Sequence, residues 1–505
     1  MLPKTQTVSL NLSPEPGTLD PRKARDLTSC TLIRMLFEGL TRSSKEGTTE
    51  LAIAKQIDIS EDGTRYTFYL RDSQWSNGDE VTSYDFASSW KTMLDPRFPS
   101  DVVYHLFPIR NAQSIKKGEL SVDSLGVQTP DALTLVVELE TPIPYFLELV
   151  SMTPYFPVHR KFAKENNQWD LDPTQWISNG PFTLKEWRHT DALLLEKNSE
   201  YWQADGVRLE KIEFCVTAPD TAIRLFEEGK LAWTGSPLST IPADAIQSLR
   251  EKEQLHTTPF LATSFLRVNT AKPPFTNVLL RQALSIAIDR KAITEHILQG
   301  GHQPATALVP PGMGLSQHGY FPDGDVDMAR SLLQGALNEW RMQASELPPI
   351  TLSFVNCDRN IAIAQAIQKQ WEKALGISVI LEPVESKIYF QRVSRKEFEL
   401  ALGSWTADFN DPINFLDVFK TKEVGTNNTQ WENERYIDLL MRSSLCRQEG
   451  ERRQCLHAAE KILMDQMPII PIYHFAMNFL VQEGLKGVSL SPTGGLDFRW
   501  AYWER

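Results

Sequence analysis

The side chains from which catalysis or metal binding would be built are scattered in this chain. The closest pair of its nine histidines, His296 and His302, straddles Gly300-Gly301 with no carboxylates at ligand spacing. There is no H-E-x-x-H, no G-x-S-x-G and no strand followed by G-x-G-x-x-G. Gly229-Lys230 lacks the earlier glycine and the following hydroxyl of a phosphate loop. None of the five cysteines forms a C-x-x-C pair, which argues against a zinc ribbon or a thioredoxin-type site. Cys446 and Cys455 flank a turn between two expected helices and could bridge in an oxidising compartment. Burial as small apolar groups suits most of the five better. No catalytic residue, metal ligand or cofactor is assigned.

The aromatic residues point to binding instead. There are 13 Trp, 12 Tyr and 24 Phe, and most belong to the core. Three runs sit beside polar breaks and read as loops or strand ends: Tyr104-His105-Leu106-Phe107, Trp405-Thr406-Ala407-Asp408-Phe409-Asn410 and Tyr473-His474-Phe475. Aromatic clefts with few convergent polar groups hold small ligands. Taken alone, Asp408 reads as a turn cap before Asp411-Pro412.

The elements that carry these runs alternate between strand and helix. Residues 57–60 and 66–70 read as strands joined by a turn at Asp62-Gly63. Thr82 or Ser83 caps a helix over 84–94 that stops at Asp95-Pro96. Residues 350–383 read as a βαβ unit: a strand at 350–355, a helix over 360–375 with an apolar stripe, a left-handed cap at Gly376, and a parallel strand at 377–381. A further strand is expected at 398–402. Helices are expected over 278–293, 434–445 and 451–466. The proline-bounded run 467–473 suits a strand crossing between lobes, and 7–12 an N-terminal strand. This is an α/β chain with a mostly parallel sheet in at least one lobe. Its 505 residues allow about three domains. A net charge of -12 argues against nucleic acid as a partner and suits a monomer. No apolar window approaches the ~18 residues of a membrane span. Met1-Leu2-Pro3-Lys4 is not a signal peptide.

Several stretches, taken together, resemble the large extracytoplasmic solute-binding proteins of ABC importers for oligopeptides and dipeptides. The strongest is Asp62-Gly63-Thr64-Arg65-Tyr66-Thr67-Phe68-Tyr69-Leu70-Arg71, followed by Trp75-Ser76-Asn77-Gly78 and Asp85-Phe86-Ala87-Ser88-Ser89-Trp90. Others keep the family's order: Pro16-Gly17-Thr18-Leu19-Asp20-Pro21, Leu36-Phe37-Glu38-Gly39-Leu40, Asn179-Gly180-Pro181-Phe182, Asn198-Ser199-Glu200-Tyr201-Trp202, and Asn269 through Arg281-Gln282-Ala283-Leu284. The similarity runs from about residue 7 to 485.

The resemblance implies a three-lobed periplasmic-binding-protein-like fold of type II. One lobe is assembled from 1–40, 161–265 and 474–505, a smaller inserted lobe covers 41–160, and a third covers 266–473, with short peptides enclosed in an interlobe cleft by hinge closure. It implies a receptor, not an enzyme, that hands peptides to an inner-membrane ABC permease. Its place would be the bacterial periplasm or cell envelope, with the export signal removed and lipid anchoring open. Dedicated receptors for glutathione, a nickel complex or haem share the family, and a cleft peptidase is the remote rival. By resemblance, Asp408 pairs with the peptide α-ammonium. The ligand backbone would add as a strand near Arg25 to Leu27 and near Ser404, Trp405, Thr406 and Ala407. Asn356 falls at a ligand-side strand end and Asn360 near a histidine slot. Tyr104, Tyr473 and Phe475 would line the cleft, and Phe107 stands where oligopeptide receptors carry a tyrosine. Leu402 and Val393 occupy two slots that hold basic residues for the peptide carboxylate, with Arg392 and Arg395 nearby, so the carboxylate partner stays open. Arg25 replaces an acidic residue, which would favour an acidic group there.

Overall fold

The computed structural model describes residues 6–44, 48–165, 169–171, 176–316, 318–423, 425–446 and 448–504; Met1-Leu2-Pro3-Lys4 lies outside them. The chain divides into two units: Met1–His256 with Met477–Arg505, and Thr257–Ala476. The stretch expected as the third lobe, 266–473, lies inside the second.

In the first unit, Thr7–Leu12 is parallel to Lys211–Val216 over its whole length. Val8, Leu10 and Leu12 are fully buried, as alternation along a strand requires. Ala192–Lys197 and Phe182–Arg188 extend that sheet antiparallel. The expected hairpin is in a separate four-stranded sheet, where Ala54–Ile59 pairs with Arg65–Leu70. In its turn, Asp62 Oδ1 accepts from the Thr64 N–H at 3.0 Å, and Gly63 takes a φ of 71° that glycine tolerates. Thr82 and Asp85 form a reciprocal capping box on the helix Ser83–Leu94, which buries Phe86 and Trp90.

Motifs distant in sequence converge in this unit on one carboxylate. Buried Glu38 accepts from Arg42 at 2.9 Å, from the Tyr201 hydroxyl at 2.8 Å, from the Trp202 indole and from Arg499. The Asn179 side chain makes two bonds to the Glu38 backbone, at 3.1 and 3.0 Å. A Cβ on the neighbouring Gly180 would fall 2.5 Å from the Leu36 carbonyl carbon, so this close approach excludes a side chain there. Burial alone would raise the Glu38 pKa, but Arg499 and Arg42 outweigh it and hold it below the ordinary carboxylate value.

In the second unit, Ile350–Val355 lies between Val379–Val384 and Leu400–Thr406, parallel to both. The crossover helix Asp358–Leu375 buries Ile363, Ile367 and Trp371 against the sheet and ends at Gly376, whose φ is 68°. The Trp371 indole donates to the Leu284 carbonyl at 2.8 Å. Beyond this parallel core the sheet turns mixed: His256–Val268 runs antiparallel to Leu400–Thr406. The helices Glu434–Leu445 and Glu449–Gln466 follow, and the strand Ile469–Val481 continues the chain from the second unit into the first.

Two expectations change. The helix expected over 278–293 stops at Ile286 because the Asp289 carboxylate caps a new turn, accepting from the Ala292 N–H at 2.8 Å, and a π-helical turn follows at Ile293–Leu298. Cys446 caps the end of the helix Glu434–Leu445 and Cys455 lies within the helix Glu449–Gln466, and both are free thiols in contact with each other.

Removing Glu38 takes away the buried carboxylate shared by Arg42 and Arg499, leaving them only Glu50 and Asp497 among the described residues. Glu38→Ala is expected to lower unfolding free energy by about 3–5 kcal/mol, measured by chemical denaturation at pH 7. A loss below about 1 kcal/mol would contradict this reading.

Candidate functional site

The run around Asp408 continues a strand whose surroundings change along its length. In Leu400–Thr406 the first three residues are buried, and from Gly403 onward none is. On one side the whole strand pairs with residues 262–268. On the other, the ladder with Ile350–Val355 ends at Ala401. From Gly403 to Thr406 that edge faces no other described strand. An unpaired edge is a template for one more strand.

Past the strand, Ala407 donates to the Leu261 carbonyl at 2.8 Å, and Asn414 fastens the loop. The Asn414 side-chain oxygen accepts from the Trp405 indole at 2.9 Å and from the Asp408 N–H at 3.3 Å. The two carboxylates of the run differ sharply. Asp411 caps the following turn, accepting from the Ile413 N–H at 2.9 Å, and is paired with buried Arg452 at 2.8 Å. The turn-capping task is therefore done by Asp411. Asp408 has no cationic partner among the described residues. Burial pushes its carboxyl up to about 6, and a hydrogen bond with Asn414 only partly offsets this. A raised pKa by itself does not mark a site: Glu460 is pushed up to about 7 by burial, yet it accepts three bonds, from the Leu308 and Val309 N–H groups and the Tyr320 hydroxyl.

Beside the open edge lies a cavity of about 410 Å³ within the second unit. Of the residues expected at a ligand, Asn360, Ser404, Tyr473 and Phe475 line it, as do Leu402 and Val393. Asn360 donates to the Val355 carbonyl at 3.0 Å, tying the crossover helix to the strand end. Tyr473 and Phe475 lie in mid-strand, with ring centroids 4.8 Å apart. Asn356 is exposed at the strand end and, with Trp405, Thr406, Ala407 and Asp408, does not line the cavity.

The cavity also holds two guanidinium groups that sequence reasoning missed. Arg267, on the strand His256–Val268, has its Cζ 5.0 Å from the Phe265 ring and hydrogen-bonds the Tyr389 hydroxyl, which donates to the Leu402 carbonyl at 2.5 Å. A Cβ on Gly403 would fall 1.7 Å from an Arg267 guanidinium nitrogen, so the glycine makes room for this group. Arg359 stands at the first turn of the crossover helix, 5.7 Å over the Phe475 ring. The available signal for Arg267 was a lone charge inside the apolar run Leu261-Ala262-Thr263-Ser264-Phe265-Leu266-Arg267-Val268.

The remaining candidates belong to the first unit. Arg25 is exposed and pairs with equally exposed Asp101 at 3.2 Å, a contact of little energetic consequence. The strand expected near Arg25 to Leu27 is absent. Asp26 accepts from the Ser29 N–H at 2.8 Å and caps a helix that begins at Leu27. Tyr104 is exposed against His105, with ring centroids 4.1 Å apart, and Phe107 is half-buried after the helical turn Val103–Leu106, which replaces the expected loop or strand end.

A model of bacterial extracellular solute-binding proteins, family 5 (middle), matches residues 48–427. The chain is 38% identical to the oligopeptide-binding protein OppA of Bacillus subtilis over 99% of its own length and 93% of that protein. It is 31% identical to the dipeptide-binding protein DppE of the same organism, covering 97% and 91%. The solved structure of the Escherichia coli murein tripeptide binding protein MppA superposes with a TM-score of 0.84 at 31% identity, covering 99% of each chain. With three quarters of its length in the family model and near-complete coverage of these relatives, the chain belongs to the bacterial extracellular solute-binding proteins of family 5.

Proposed function

We propose that this chain is a receptor that captures short peptides and delivers them to an inner-membrane ABC permease, and that Asp408 takes the peptide's α-ammonium. The observation that carries this reading is a half-buried carboxylate without a cation, placed just past a strand edge open to backbone pairing. A free amino terminus supplies the missing cation, and charge-assisted hydrogen bonds offset the desolvation of both groups. Pairing at Gly403 to Thr406 would hold the ligand through main-chain bonds that do not read side chains. The oligopeptide-, dipeptide- and murein-tripeptide-binding relatives support this ligand class. The receptor works as a monomer in the bacterial periplasm or cell envelope and performs no chemistry on its ligand.

Mass spectrometry of freshly purified protein, before and after denaturing release, tests the ligand class. The expected result is a ladder of masses matching mixed peptides of about two to five residues. A single dominant mass would instead mean a dedicated ligand, and its formula would identify it.

The ammonium assignment has a pH signature. If only ionised Asp408 binds, a carboxyl titrating at about 6 makes affinity rise with pH, by about tenfold from pH 5 to pH 7. The free protein responds oppositely. Its folded state keeps a proton that the unfolded chain releases, so this group lowers stability as pH climbs from 3.8 to about 6. Calorimetric titration with a released peptide is expected to show the affinity slope in wild type and none in Asp408→Asn, which should also bind at least about tenfold more weakly at pH 7. Equal slopes in both proteins would refute the assignment.

A further inference from the structure

We propose that Cys446 and Cys455 form a redox-modification site, at which a disulfide oxidant converts the two thiols into a bond that staples one helical hairpin of the second unit. The inference stands apart from the peptide-receptor reading and uses none of its ligand residues.

The two helices place the sulfurs together. Cys446 ends the helix Glu434–Leu445, where its N–H donates to the Arg442 carbonyl at 3.1 Å. Cys455 lies nearly two turns into the helix Glu449–Gln466. Their thiols are hydrogen-bonded to each other. Side chains that converge in this way meet the first demand of a bridge, Cβ bonds that point towards each other. The remaining cysteines are placed otherwise. Cys30 donates to the Ala24 carbonyl at 3.9 Å and touches the Thr153 hydroxyl at 3.6 Å. Cys215 belongs to the first unit, and Cys357 is exposed at the head of the crossover helix.

Access is the second support. Both thiols are half-buried, and Leu445, the residue before Cys446, is 67% exposed. An oxidant therefore reaches the pair from solvent. The chain belongs to an extracellular family, and extracytoplasmic compartments supply such oxidants. Burial and the neighbouring Cys455 raise the Cys446 thiol above its ordinary value, so little of it is thiolate at neutral pH. Exchange is correspondingly slow, which leaves the pair reduced until a disulfide oxidant meets it.

The bond would fix an element on which its unit leans. The helix Glu449–Gln466 carries Arg452, which pairs with Asp411 at 2.8 Å, and Glu460, which accepts from the Leu308 and Val309 N–H groups. Closing a ring between two neighbouring helices also removes freedom from the unfolded chain. The exchange balances in two steps. One cysteine thiolate attacks a sulfur of the oxidant's disulfide, that S–S bond breaks, and a mixed disulfide forms as one thiolate leaves. The other cysteine thiolate attacks the protein sulfur of the mixed disulfide, closes the Cys446–Cys455 bond and releases the second thiolate. The two cysteine protons pass to the released thiolates, and two electrons pass from the protein to the oxidant.

The test uses the full chain, reduced, freed of reductant and incubated with oxidised glutathione. It is then quenched in acid, alkylated in denaturant and read by intact mass and by peptide mapping. Of the five thiols, two are expected to escape alkylation, with the segments around 446 and 455 linked. Melting of the oxidised protein should rise by about 5–10 °C and return to its former value on reduction. Cys446→Ser and Cys455→Ser should each lose the link and the shift, whereas Cys215→Ser should keep both. Full alkylation of wild type would overturn the proposal. So would a glutathione adduct that stays on either cysteine without a link, or a link that leaves melting unchanged. A shift that survives in both Cys446→Ser and Cys455→Ser would place the response elsewhere and refute the site.

Discussion

A carboxylate withdrawn from water without a cation is unfavourable, and the second unit holds one, Asp408. Asp411, three residues on, is relieved by Arg452; Asp408 has no cationic partner among the described residues. Asn414 holds the backbone of the loop and one bond to the carboxyl, so the group is oriented but not neutralised. A ligand that brings its own positive charge, as proposed above, would neutralise it.

Several buried charges elsewhere in the molecule are paired. Glu38 is enclosed by Arg42 and Arg499, Asp20 by Arg22 at 2.8 Å, and Arg290 is paired with Asp323. Among the described residues Glu460 has no ion pair, but it accepts three hydrogen bonds. Against this background Asp408 stands out: it lies just past an open strand edge and has no counter-charge among the described residues.

Much of this was legible in the sequence, for local reasons. The βαβ unit at 350–384 follows from apolar periodicity and a glycine at the helix end, and the hairpin near 62 from Asp-Gly between strand-like runs. The motif singles out Asp408 as a candidate, but its distinction from Asp411 needed the Arg452 pair, formed 41 residues away. Arg267 showed in the sequence only as a lone charge in an apolar run; its place over Gly403 depends on an antiparallel register that brings the two together from 136 residues apart. The misreading at Arg25 to Leu27 had a local remedy, since Asp26 followed by Leu27-Thr28-Ser29 carries an N-cap signal that outweighs the strand expectation.

The most direct test of the central claim is to block the ligand's positive charge and nothing else. Wild-type protein is offered the same tri- to pentapeptides with free and with acetylated amino termini, and bound masses are compared at pH 7 by native mass spectrometry. If Asp408 is a carboxylate waiting for an ammonium, the free peptides are retained and the acetylated ones are lost. If both are retained alike, the ammonium plays no part in binding, and this account of Asp408 is wrong.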